Sequence, residues 1–127
     1  MKEAYINGKI LDPEKNKEFI GDIIIEKDRI IDIGPNIHKK EKPKNYTNIH
    51  DCKNLYICPG LIDMRVSLGE PVSEHKESIK SGSEAAFAGG ITTVVCLPNT
   101  DPVIDNVSVA EYIQRKAKEV SKLNLYT

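Results

Sequence analysis

The 127-residue sequence predicts an α/β chain, in which a small β-sandwich or sheet is followed by a βαβαβ run. Three observations lead there. Short β-branched and aromatic stretches, separated by turn residues, fill positions 1–58. After Pro59-Gly60 the apolar residues switch between strand-like alternation and helical spacing. Between the two helical stretches lies "ITTVVCLP", a nearly unbroken β-branched run of the kind that parallel sheets bury on both faces. The expected division is therefore a β-rich domain over 1–58 and a βα-repeating region over 59–127.

In chain order, "AYINGKIL" places Asn7-Gly8 between two apolar stretches, a short-range hairpin signal. Next come strands over 22–26 and 29–33, with Lys27-Asp28 as their turn and Gly34-Pro35 as the stop. "HKKEKPK" over 38–44 has a proline and no apolar residue, so it is expected as a solvated connector. "YTNIHD" and "NLYICPG" give two more short strands, and all of these pieces are expected to pair antiparallel. A strand over 61–68 then leads to a helix near 78–89, with Ser78 as N-cap and Gly89-Gly90 as the stop. Small residues, Gly82, Ala85 and Ala86, would let that helix approach a sheet closely. The second helix, near 106–120, carries the apolar stripe Val109, Ile113, Ala117 and Val120, with Ser108 and Glu111 expected as a capping box. "LNLYT" begins a third strand, and the order βαβαβ implies right-handed crossovers and a parallel sheet.

Bulk properties exclude several function classes. A net charge of −1 and pI near 6.3 leave no basic footprint for nucleic acid. No apolar run reaches the ~20 residues that span a bilayer, and "MKEAYINGK" is no secretory signal, so a cytoplasmic location is expected. Cys52, Cys58 and Cys96 form no disulfide pattern. His50, Cys52 and Cys58 match no structural zinc spacing, and buried or half-buried thiols are the better account of the cysteines.

The chemistry-bearing stretch is "PGLIDMRVSLGEP". Alternation puts Asp63, Arg65, Ser67 and Gly69 on one face, with Ile62, Met64, Val66 and Leu68 on the other. Together with "EHKESIKSGSEAAFAGGITTVVCLPNTDPVID" and the β-rich lead-in, it resembles the N-terminal part of dihydroorotase, of the amidohydrolase superfamily. Allantoinases and dihydropyrimidinases share the proline-glycine entry and the glycine-glycine-x-threonine-threonine segment. Pro98-Asn99-Thr100 and His75-Lys76-Glu77 point to the dihydroorotase branch. The likeness runs along nearly the whole chain and covers about the first third of a typical member.

The resemblance implies a (β/α)₈ barrel with its site at the C-terminal strand ends, of which residues 59–127 form only the start of an incomplete, truncated TIM-type barrel. It implies reversible closure of carbamoyl aspartate to dihydroorotate, in pyrimidine synthesis, on one or two zinc ions. Family members bind zinc with a His-x-His pair on the first strand and with a carbamylated lysine and further histidines on later ones. An aspartate acts as base, and an arginine and the asparagine of Pro-Asn-Thr hold the substrate carboxylate. Here the His-x-His slots hold Arg65 and Ser67, and the arginine slot holds Gly69; Asp63 alone survives of the first-strand set. Arginine stays protonated and has no lone pair for zinc.

The expectation is an inactive chain, with no catalytic residue, no metal and no cofactor, and Asn99 as a vestigial substrate contact or a plain turn residue. Asp63 is expected to accept local hydrogen bonds, His75 to be solvated, and Arg65 to pair with Asp63 or Glu70. Three roles stay open: a non-catalytic partner of a pyrimidine-synthesis enzyme such as aspartate transcarbamoylase, a disrupted-gene remnant, or an enzyme completed by a second polypeptide. An open apolar edge such as "ITTVVCL" would recruit other strands, so self-association or a protein partner is expected.

Overall fold

The computed structural model describes residues 2–40 and 42–127. They form two compact units, Met1–Pro59 and Gly60–Thr127.

The first unit is a single five-stranded sheet. Its strands are β1 (Lys2–Asp12), β2 (Lys17–Glu26), β3 (Arg29–Gly34), β4 (Tyr46–Asp51) and β5 (Tyr56–Ile57), in the order β3-β2-β1-β4, with β5 also on β1. β1 to β3 form an antiparallel meander, but β4 and β5 run parallel to β1, along successive halves of the same edge. The all-antiparallel expectation is corrected here. Parallel pairing needs a long return, and the segment between β3 and β4 supplies it.

Asn7-Gly8 is no hairpin turn. It lies inside β1, where the register against β2 jumps between Tyr5 and Gly8, and Asn7 has φ of 60°. The chain reverses instead after Asp12, whose carboxylate accepts the Lys15 N–H at 3.1 Å. Left-handed Asn-Gly chemistry suits a bulge as well as a turn, and the pairing of β1 with three other strands decides which.

The unpaired N–H that this bulge creates has a specific partner. Asp22, 1 % exposed, accepts Asn7 N–H at 3.0 Å, His38 N–H at 3.2 Å and His38 Nδ1 at 2.6 Å. His38 thereby ties the 3₁₀ turn Ile37–Lys40 to the sheet, with Ile37 buried against Ala4, Ile24 and Tyr46. The connector expected to be solvated is thus pinned at its first residue. Its anchor is the apolar Ile37 just before it, which a reading of 38–44 alone leaves out.

The second unit follows the predicted order. β6 (Leu61–Val66), β7 (Ile91–Cys96) and β8 (Asn124–Tyr126) form a parallel sheet in the order β6-β7-β8, crossed by α1 (Ile79–Ala88) and α2 (Val107–Val120). Ser78 caps α1 through a reciprocal box with Ser81, and Gly90 leaves it at φ of 82°. α2 is capped by Asn106, whose Oδ1 accepts Val109 N–H at 3.1 Å, and not by Ser108. The Asn106 side chain reaches the same third-residue N–H a serine would, two positions earlier.

The core joins Leu68, Ile79, Val94, Cys96, Ile113, Ala117, Leu123 and Leu125. Gly82 lets α1 come close: a Cβ there would stand 2.5 Å from Leu68 Cδ2. Burial pushes the Cys96 thiol up to about 11, so it behaves as a core apolar group. β7 buries Val94 and Cys96 on one face, while Ile91, Thr93 and Val95 on the other are half-buried, so the expected burial on both faces is only partly reached. β7 is also the central strand. The open edges belong to β6 and β8, which corrects the expectation of an exposed "ITTVVCL" edge. Among the described residues no helix is long and apolar enough to cross a membrane.

Asp22→Ala should destabilise the first unit by about 2–3 kcal/mol, because it strips a charged acceptor from two backbone N–H groups. Burial raises the Asp22 pKa, but the hydrogen bonds from His38 and from Asn7 N–H outweigh it and hold the carboxyl below its ordinary value. Its contribution is therefore present above the unfolded-state pKa of about 3.9 and disappears as pH falls through the depressed folded value. Denaturant titrations between pH 7 and 2 should show wild type and Asp22→Ala converging at the acid end.

Candidate functional site

The candidate site lies at the C-terminal end of β6 and β7. Val66 and Leu68 pack into the helix-covered core, which leaves Arg65 and Ser67 on the opposite face; upstream the register of β6 against β7 shifts between Asp63 and Val66, and Ile62 and Met64, expected on the core face, are exposed. Arg65 and Ser67 are exposed and Asp63 is half-buried.

Asp63 Oδ1 accepts the Arg65 N–H at 2.9 Å, a local bond that fixes the carboxylate beside its own strand. The Arg65 guanidinium makes no ion pair among the described residues, so the expected pairing with Asp63 or Glu70 is not formed. The reason is that Glu70 is engaged elsewhere. It is 6 % exposed, Oε2 accepts Ile79 N–H at 2.9 Å at the start of α1, and Oε1 accepts the Tyr112 hydroxyl of α2 at 3.4 Å.

β6 and β7 do converge on one pair of side chains. The Ser67 hydroxyl donates to Asn99 Oδ1 at 3.2 Å and accepts from Asn99 Nδ2 at 3.1 Å. Val66 O accepts Leu97 N–H at 2.8 Å, which brings the two strand ends together beneath that pair. Thr100 turns away, its hydroxyl donating to Pro102 O at 2.7 Å. His75 is exposed on the intervening loop.

Catalytic zinc takes nitrogen, sulfur or carboxylate donors, usually three from the protein with one position left open. This stretch of β6 offers one carboxylate, a guanidinium that cannot ligate and a hydroxyl that ligates zinc poorly. Among the described residues no group of three His, Cys, Asp or Glu side chains is placed to hold a metal ion. The donor set does not fit zinc. Cys52, Cys58 and Cys96 are free thiols, and only Cys58 is exposed.

The sequence reading missed Glu70 as an organiser of this region. Its signal was a carboxylate at the end of an apolar alternation, held between Gly69 and Pro71, where a solvated role was not to be expected.

Comparison with known proteins places these features. Residues 54–127 match the family model described as dihydro-orotase-like. The chain is 46 % identical over 122 residues to the dihydroorotase of Ehrlichia chaffeensis, covering 96 % of this chain and 27 % of that protein. It is 44 % identical over 124 residues to the dihydroorotase of the Wolbachia of Brugia malayi, covering 98 % of this chain and 28 % of the relative. The chain thus spans about a quarter of the length of these curated relatives. Among solved structures, the L-hydantoinase of Arthrobacter aurescens superposes with a TM-score of 0.85 at 18 % identity, over 97 % of this chain and 26 % of its own. An enamidase of the amidohydrolase superfamily gives 0.73 at 20 % identity, over 99 % and 35 %. These likenesses carry the fold, the N-terminal part of an amidohydrolase.

Glu70→Ala removes the carboxylate that joins the loop to both helices and leaves Ile79 N–H without its acceptor. It should cost about 2 kcal/mol in denaturant unfolding. Tyr112→Phe deletes only the longer bond and should cost less than about 1 kcal/mol.

Proposed function

This chain belongs to the dihydroorotase-like family, and from that premise we propose that it is a dihydroorotase-like polypeptide of the pyrimidine-synthesis lineage whose first barrel strand no longer holds a metal. The observation that carries the reading is the register of β6. Val66 and Leu68 sit in the core, so Arg65 and Ser67 occupy the face on which family members present their His-x-His pair. A protonated guanidinium repels the ion as well as failing to bind it. Without metal, water keeps a pKa of about 15.7, and no hydroxide nucleophile forms near neutral pH.

Asn99, in this reading, is a vestigial substrate contact, now occupied with Ser67. A single neutral amide does not replace the arginine that the family uses at the position of Gly69.

The retained role is association. β6 and β8 each pair on one side only among the described residues, and β6 exposes Leu61, Ile62 and Met64, the last at 75 %. Open strand edges with apolar side chains recruit further strands. A second copy or a protein partner covering these edges is the occupant we propose.

A chimera tests the catalytic half directly. Grafting this chain onto the Ehrlichia chaffeensis dihydroorotase, in place of the region it matches, should abolish interconversion of carbamoyl aspartate and dihydroorotate. Retained zinc-dependent turnover would contradict the reading. For the association half, light scattering of the purified chain should show mass rising with concentration, and Met64→Lys should shift it toward monomer. A concentration-independent monomer counts against the proposal.

A further inference from the structure

One dipeptide in this chain is chemically labile, and the first unit is built around it. Asn7-Gly8 is the sole asparagine-glycine pair in the sequence, and Asn7 is exposed to water. A flexible Asn-Gly pair breaks down without a catalyst. The Gly8 nitrogen attacks Cγ of Asn7, and the new N–C bond closes a five-membered succinimide. The Cγ–Nδ2 bond breaks, and ammonia leaves with the proton that Gly8 nitrogen gives up. Water then opens the ring at either carbonyl, giving aspartate or isoaspartate. Glycine as the second residue favours the closure, because it adds no Cβ to hinder the approach and leaves the backbone free to turn.

Both residues serve the fold. Asn7 takes φ of 60° at the β1 bulge, a region that asparagine enters more readily than most residues. Gly8 is set by space: a Cβ there would stand 2.4 Å from Ile57 Cδ1 and 3.3 Å from Cys52 Cβ. The same surroundings hold the pair still. Asn7 Nδ2 donates to Asp51 Oδ1 at 3.0 Å, and Asn7 N–H donates to Asp22 Oδ1 at 3.0 Å. The bond from Asn7, followed by that from Lys53 N–H, keeps the Asp51 carboxyl below its ordinary pKa, so the acceptor is ionised near neutral pH. On either side of the pair, Ile6 O accepts Cys52 N–H at 2.8 Å and Lys9 N–H donates to Leu55 O at 2.9 Å. Gly8 itself lies opposite Gly21 of β2. Cyclisation has to turn the amide off Asp51 and rotate the 7–8 peptide, and pairing on both edges of β1 opposes that rotation.

We propose that Asn7-Gly8 is a self-modification site, which Asp51 and Asp22 keep intact while the sheet is formed and which deamidates once β1 opens. Neither product fits the place that Asn7 held. Aspartate sets a second carboxylate against Asp51, where the amide now donates, and like charges facing each other across strands repel. Isoaspartate inserts a methylene into the main chain where β1 pairs with β2, β4 and β5. Opening of the first unit is thereby recorded in its covalent structure.

Peptide mass spectrometry of the full chain, after incubation near neutral pH, tests this. Deamidation at residue 7 should run more than about tenfold faster in concentrated guanidinium chloride than in the native chain. Asp51→Ala frees the amide and should speed the native reaction by about threefold or more, whereas Asp51→Asn keeps an acceptor and should stay closer to wild type. Asn7→Asp imitates one product and should lower the midpoint of denaturant unfolding. Adding Asp51→Asn to it restores a donor–acceptor pair and should recover most of that loss. Equal rates in the native and unfolded chain overturn the proposal, as does an unfolded chain that stays intact at residue 7; neither result needs a variant to fold. So does an unchanged rate in folded Asp51→Ala, or an Asn7→Asp chain as stable as wild type.

Discussion

The alternation of β6 is the constraint on which the rest depends. A strand has two faces, and the core claims one of them. Val66 and Leu68 join Val94, Ile79 and Ile113 under the two helices. Sliding the strand by one residue to hide Arg65 would expel Leu68 from that core and bury a guanidinium, a loss of several kcal/mol on either count. The face that carries positions 65 and 67 is therefore fixed by residues that take no part in chemistry. Substitution there changes what the strand can bind without changing where the strand lies.

That separation explains how a family fold coexists with a face unsuited to the family's metal. Gly82 against Leu68, the Ser78 cap and Glu70 on Ile79 N–H all serve the packing of α1, and all are intact. Arg65 and Ser67 have no packing duty, since both are exposed. The Ser67–Asn99 pair is a bond between two strand ends.

The second unit was legible in the sequence because its signals are local. Helical spacing around Ile113 and Ala117, a serine cap and a double-glycine stop need no knowledge of distant residues. The first unit was less so. Asn7-Gly8 carries the same local signal as a hairpin, and only Asp22, fifteen residues away, and the parallel strand β4 make it a bulge. His38 looked solvated among lysines because its partner is that same Asp22. At the site, the identities at 65, 67 and 69 were readable at once. What stayed hidden was where Glu70 points and that a loop fills the space beside Gly69, since both depend on how a chain segment folds back.

The central claim, that the β6 face holds no zinc, is tested most directly by competitive titration of zinc against a chromophoric chelator, comparing wild type with Arg65→His/Ser67→His. The account predicts that the wild-type chain takes no zinc from a chelator of micromolar affinity, while the double variant, which sets two imidazoles beside Asp63, withdraws close to one equivalent. Stoichiometric zinc uptake by the wild type, undiminished when Asp63 is replaced by Ala, would show a metal site that this strand does not explain. Stoichiometric uptake that Asp63→Ala abolishes would contradict the account outright.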